Sequence, residues 1–161
     1  HFFTLSNGNK IPGPSTIGTG SIYYKPSESY YNPNLTKFLE KSFRELKGVI
    51  HIDGADLYNT YPETGDALKA NFKEDWKKRE ELWYTDKFDS CTGKRPNPKV
   101  HVYEVLKRLG LEYIDLYLIH HPIVHKSLNS DLVEIWNQSI ELQKEANVNN
   151  IGVSNFSVND I

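Results

Sequence analysis

The chain has 161 residues, enough for one domain with a sizeable core and too few for two comfortable ones. An apolar fraction of 38% and a charged fraction of 25% are ordinary for a globular protein, and a net charge of −2 leaves no basic surplus for nucleic acid or an anionic membrane. A single cysteine, Cys91, excludes an internal disulfide; no run approaches the ~18 apolar residues of a membrane span; and His1 to Lys10 lack the charged-then-apolar order of a signal peptide. The expected setting is cytoplasmic.

Phe2 to Leu5, the Asn7-Gly8 pair and Lys10-Ile11 predict a short hairpin closed by a type I′ turn, which Asn-Gly favours. Ser15 to Gly18 predicts a strand leading into Gly18-Thr19-Gly20, and Tyr23 to Tyr31 a polar, tyrosine-rich loop. A helix opens at Asn32-Pro33, because Asn caps and Pro loses nothing at the first helical position. Leu35, Phe38, Leu39, Phe43 and Leu46 form its apolar face, and Gly48 stops it. Thr64 to Phe72 predicts a shorter helix, followed by a solvated charged stretch from Lys73 to Glu81. Asn97-Pro98 repeats the opening grammar, with Val102, Val105, Leu106 and Leu109 on one face before Gly110. Asp131 to Glu145 predicts a third long helix, carrying Leu132, Ile135, Trp136 and Ile140.

Compact strand candidates lie between the helices: Val49 to Asp53, Leu82 to Lys87, Ile114 to His120 and Val148 to Asn155. Strands alternating with helices predict an α/β protein whose parallel sheet is covered by helices. The pattern alone leaves open a doubly wound sheet and a barrel.

Asp53, Lys87, His120 and Ser154 each fall at the carboxyl end of a predicted strand, at intervals of 34, 33 and 34 residues (53 to 87, 87 to 120, 120 to 154). In a βα barrel such positions converge on one mouth. Tyr58 follows Asp53 in the loop above the same strand end. Hydride delivery to a carbonyl carbon leaves an oxyanion that needs a proton. A tyrosine, with an ordinary pKa of about 10, gives one up reluctantly unless a nearby ammonium favours the phenolate. Lys87 is that ammonium, Asp53 holds it charged and in place, and His120 orients the substrate oxygen. Taken singly, Asp53 and Lys87 read as a structural ion pair, Tyr58 as one tyrosine of many, and Ser154-Asn155 as a turn cap; the shared phase is what makes them a site. Gly18-Thr19-Gly20 lacks the third glycine of a dinucleotide fingerprint. His120, His121 and His125 do not read as a metal site, because neighbouring strand side chains point oppositely and no carboxylate is spaced to join them.

The stretch His51-Ile52-Asp53-Gly54-Ala55-Asp56-Leu57-Tyr58, continuing to Glu63-Thr64-Gly65, resembles the first aldo-keto reductase signature. IDLYLIHHP from Ile114 to Pro122 is similar to that family's fourth strand and catalytic histidine, and NIGVSNFS from Asn150 to Ser157 to its fifth strand. The opening hairpin matches the one that plugs the bottom of the family's barrel. FTLSNGNKIP and the IGTG segment are similar to fungal NADPH-dependent α-keto amide and conjugated polyketone reductases.

The resemblance implies a (β/α)8 barrel of which residues 1–161 are the hairpin, strands 1–5 and helices 1–4, with strands 6–8 beyond Ile161. It implies NADPH as cofactor, an aldehyde or ketone as substrate, and a monomer or weak dimer. It makes Tyr58 the proton donor, Lys87 and Asp53 its tuning pair, and His120 the substrate-orienting residue. Ser154 and Asn155 would bind the nicotinamide carboxamide; Gly20, Ser21 and Asp53 would also approach the cofactor, and His121 would border the substrate. His121 and Tyr61 depart from the family: many relatives carry an aromatic or small residue at the first position and an acid at the second. Since such barrels need around 250 residues, the natural chain is expected to continue past Ile161 and the stretch alone to be inactive. The competing reading is a reductase-like binding module without turnover.

Overall fold

A computed structural model describes residues 2–13 and 16–161. The amino-terminal strands β1 (Phe2–Thr4) and β2 (Lys10–Pro12) pair antiparallel, Phe2 opposite Pro12. The turn corrects the type I′ expectation. Only Gly8 adopts positive φ (87°), and its N–H donates to Leu5 O, so Ser6-Asn7 form an ordinary turn and Gly8 supplies the left-handed residue after it. Asn7 and Asn9 both donate to Asn150 Oδ1, at 2.8 and 2.7 Å, which ties the hairpin to the amino-terminal side of the last strand.

Five parallel strands follow: β3 (Thr16–Gly18), β4 (Ile50–Asp53), β5 (Leu82–Phe88), β6 (Leu116–Ile119) and β7 (Ile151–Val153). Ser15, the first residue of the expected β3, lies outside the described residues. Each strand neighbours the one before it, in the order β3-β4-β5-β6-β7. A doubly wound sheet would reverse direction at a switch point; winding one way throughout is the barrel's order. Four helices make the crossovers: α1 (Pro33–Glu45), α2 (Tyr61–Glu74), α3 (Pro98–Leu109) and α4 (Leu132–Lys144).

The outward residues Ile50, Ile52, Tyr84, Phe88, Tyr117 and Ile119 are buried under these helices, where Leu35, Leu39, Phe43, Leu68, Val102, Val105, Leu109 and Ile135 meet them. The inward face is polar around His51, whose Nε2 lies 2.7 Å from Thr85 Oγ1. Two expectations about burial fail. Phe38 and Leu46, placed on the α1 face, are 44% and 42% exposed, because residues 35, 39, 42 and 43 complete the buried stripe and leave position 38 at its edge, where Phe38 stacks on Tyr23. The charged stretch after α2 is not simply solvated: Lys77 is buried and donates to Gly48 O at 3.1 Å, and Trp76 packs on the core under Arg44. Helix α2 also begins earlier than expected, at Tyr61, since Pro62 fits its first turn as Pro33 fits that of α1.

Candidate active site

Asp53 is the last residue of β4 and Lys87 the last but one of β5; His120 and Ser154 lie one residue beyond β6 and β7. The chain turns after Asp53 through Gly54 into a 3-10 turn, Asp56–Tyr58, which lifts Tyr58 back over the strand ends. The Lys87 ammonium sits at the centre. Its Nζ donates to Asp53 Oδ1 at 2.6 Å, to Gly54 O at 3.0 Å and to the Tyr58 hydroxyl at 3.1 Å. The His120 ring stands edge-on to Tyr58, centroids 5.8 Å apart and planes at 84°. Gly20 backs the tyrosine: a Cβ there would lie 2.5 Å from three carbons of the Tyr58 ring.

Burial alone would push the Lys87 ammonium down, but the Asp53 carboxylate and the hydrogen bonds that Lys87 donates to Asp53 and Tyr58 outweigh it, and the group ends above its ordinary value. His120 goes the other way. Burial first, then the Lys87 and His121 charges, lower its imidazole to about 4, so it is neutral at physiological pH. Its Nδ1 is buried without a hydrogen-bond partner among the described residues. Its carbonyl accepts from Asn155 Nδ2 at 2.8 Å, and the same amide reaches Ser154 Oγ at 3.0 Å. Asn155 holds a left-handed φ of 59°, which asparagine tolerates better than most residues. This leaves the Asn155 Oδ1 as acceptor beside the Ser154 hydroxyl as donor, the pair of functions that a carboxamide complements. Ser21 is exposed in the β3–α1 loop, with no hydrogen bond to the Lys87 cluster.

Residues 13–161 match the family profile described as the aldo/keto reductase family. The chain belongs to this family. It is 40% identical to the NADPH-dependent alpha-keto amide reductase of Saccharomyces cerevisiae over 99% of its own length and 51% of that protein's. It is 32% identical to aldose reductase C of Dictyostelium discoideum, covering 99% of this chain and 53% of that one. Among solved structures, a Bombyx mori aldo-keto reductase in complex with NADP superposes with a TM-score of 0.81 at 29% identity, over 100% of this chain and 52% of the other. The chain thus spans about half the length of the curated relatives it matches. Its five one-way parallel strands and the hairpin at their lower end are the corresponding part of a (β/α) barrel.

One inference about the mouth is corrected. His120 and His121 do not point to opposite faces: their rings stack, centroids 4.4 Å apart at 23°. Strand β6 ends at Ile119, so the alternation that separates neighbours no longer applies. Three features around this candidate site carry no local signal in the sequence. Lys25 and Glu63 form a buried ion pair at 2.5 Å across 38 residues, and it clamps the β3–α1 loop onto α2. Asn59, left-handed at φ 59°, donates to Lys25 O at 2.7 Å and accepts from Lys94 Nζ at 2.6 Å, which holds the turn that carries Tyr58. Behind the sheet, Asp86, Tyr61, His101 and Tyr117 form a buried hydrogen-bonded chain.

Proposed function

We propose that the full protein is an NADPH-dependent carbonyl reductase that converts aldehydes or ketones, dicarbonyls and keto amides included, to alcohols. The observation that carries this reading is the single ammonium, Lys87, that bonds both a carboxylate and a phenol at the mouth of a half-barrel. Family membership and the NADPH dependence named for the yeast relative support it.

NADPH, when bound, supplies the hydride that adds to the carbonyl carbon. The developing oxyanion takes the proton of the Tyr58 hydroxyl, and the C=O bond becomes C–O–H. The phenolate left behind lies 3.1 Å from the Lys87 ammonium, which stabilises it until solvent returns the proton. Asp53 keeps Lys87 charged and fixed. The neutral His120 has one N–H to donate to the substrate oxygen, without competing with Tyr58 as an acid. Ser154 and Asn155 would hold the nicotinamide carboxamide, with Gly20, Ser21 and Asp53 along the cofactor's path, and His121 would border the substrate.

Tyr58→Phe in the full-length protein tests the assignment. Turnover should fall by on the order of a hundredfold or more, while NADPH affinity stays within about twofold, because the hydroxyl acts in the transition state. Wild-type turnover in this variant, with hydride transfer shown to be the slow step, would remove Tyr58 as proton donor.

A further inference from the structure

The buried chain behind the sheet is not used by the chemistry above, yet it touches both halves of it. Asp86 and Lys87 are adjacent on β5. Strand alternation sends Lys87 inward to the mouth and Asp86 outward beneath the helices. Tyr61 is the first residue of α2, three positions after Tyr58. The Tyr61 hydroxyl donates to the Asp86 carboxyl, at 3.0 and 3.1 Å from its two oxygens, and lies 2.8 Å from His101 Nε2 on α3. His101 Nδ1 in turn lies 2.8 Å from the Tyr117 hydroxyl on β6. None of the four is more than 2% exposed.

We propose that Tyr61 is a positioning residue for the reductase site: by tying Asp86 to His101 across the outer face of the sheet, it sets the separation between Tyr58 and Lys87. This rests on the reading of Tyr58 and Lys87 given above. The backbone links are short. No residue separates the Asp86 anchor from Lys87, and Asn59 and Thr60 alone separate the Tyr61 anchor from Tyr58. The Tyr61–Asp86 bond therefore closes a small loop through the Tyr58–Lys87 bond, and slack at one bond appears at the other.

The tether is built to survive a change of proton count. The Nε2–Oδ2 separation of 3.4 Å between His101 and Asp86 would suit an ion pair. Burial, however, drives His101 well below its ordinary value and pushes Asp86 up to about 8, so hydrogen bonds and not opposite charges hold the group. With Asp86 ionised, donors run from Tyr117 to His101, from His101 to Tyr61, and from Tyr61 to Asp86. With Asp86 protonated, the same heavy atoms serve the reverse direction. Each arrangement needs only the one N–H of a neutral imidazole. Tyr84 of β5, Asp56, Lys87, Lys94 and Arg95 add to the polar surroundings, with Arg95 5.6 Å from the Tyr61 ring centroid. A phenol at position 61 gives reach across the sheet without burying a second charge.

Tyr61→Phe in the full-length protein is the test, with two readouts. Turnover should fall on the order of tenfold or more with KM for NADPH unchanged, as expected when reacting groups are displaced by a fraction of an ångström. The NMR titration of the Lys87 side chain should move down by about one pH unit, because Asp53 and Tyr58 raise it only while they are held close. A variant that loses thermal stability but keeps both turnover and the Lys87 titration overturns the proposal. If Tyr61→Phe does not fold, His101→Leu removes the anchor on α3. It should shift both readouts in the same sense by a smaller amount, and a folded His101→Leu protein with unchanged readouts overturns the proposal equally. A wild-type protein without NADPH-dependent carbonyl reduction would refute the functional reading instead, and the Lys87 titration would still judge Tyr61.

Discussion

Replacing Lys87 by Met removes one charge and three hydrogen bonds at once, and the structure sets the size of the effect. At 3.1 Å from the Tyr58 oxygen, in surroundings of effective dielectric about 20, the ammonium attracts a full phenolate charge by about 5 kcal/mol. Tyr58 is half-buried, so solvent screens part of this, and about 3 kcal/mol is a reasonable lower bound. Between these limits turnover falls by roughly two to four orders of magnitude. The variant also leaves Gly54 O without its donor and Asp53, 30% exposed, without its cation, at a cost of about 1–2 kcal/mol in stability. Turnover must therefore be measured well below the melting temperature, by NADPH oxidation, with deuterated cofactor to establish that hydride transfer is being timed. A Lys87→Met enzyme within about threefold of wild type, showing a full isotope effect, would refute the claim that this ammonium stabilises the phenolate.

Gly20→Ala places a methyl 2.5 Å from the Tyr58 ring, too close to coexist with it, so the ring must move. Turnover should drop on the order of tenfold to a hundredfold with the fold intact, and an unchanged rate would show that Gly20 does not seat Tyr58. His120 gives a pH signature. Its folded pKa of about 4 lies below the ordinary 6.5, so between those values the unfolded chain binds the extra proton. Its contribution is therefore complete above pH 6.5 and lost as pH falls towards 4, by about 3 kcal/mol at most. Asp86, raised to about 8, works in the opposite sense, so the quantity to follow is the stability difference between wild type and His120→Gln. That difference, from urea unfolding, should shrink towards acid pH; a constant difference would place His120 in a less buried setting.

What the sequence makes legible here is what repeats. Asp53, Lys87, His120 and Ser154 share one phase of the βα unit, and a parallel sheet wound one way converts that phase into one mouth. The helix starts at Asn32-Pro33 and Asn97-Pro98 are equally local: each asparagine caps its helix with its own side chain, accepting from Asn34 N and Val100 N. Errors arise where a local rule is carried past the end of its element. Alternation does not extend to His120 and His121, which lie beyond the end of β6, and the buried stripe of α1 does not reach Phe38 and Leu46 at its margins. Charge does not mean solvation at Lys77, whose ammonium donates to Gly48 O from another unit.

The remaining gap is of a different kind. Lys25–Glu63, Tyr61–Asp86 and His101–Tyr117 join residues 38, 25 and 16 positions apart, on elements whose polar residues show no period of their own. Such pairs become visible only when the sheet order is known, because the sheet decides which outward residue lies under which helix. Asp86 shows this best. In sequence it is an acid beside the lysine proposed for the site, a natural candidate for that lysine's counter-ion. Strand geometry denies it that role by turning it to the opposite face, and gives the role to Asp53, 34 residues away on the neighbouring strand, at 2.6 Å. Adjacency in sequence thus separates Asp86 from the mouth, and the buried position it takes instead makes it an anchor for Tyr61.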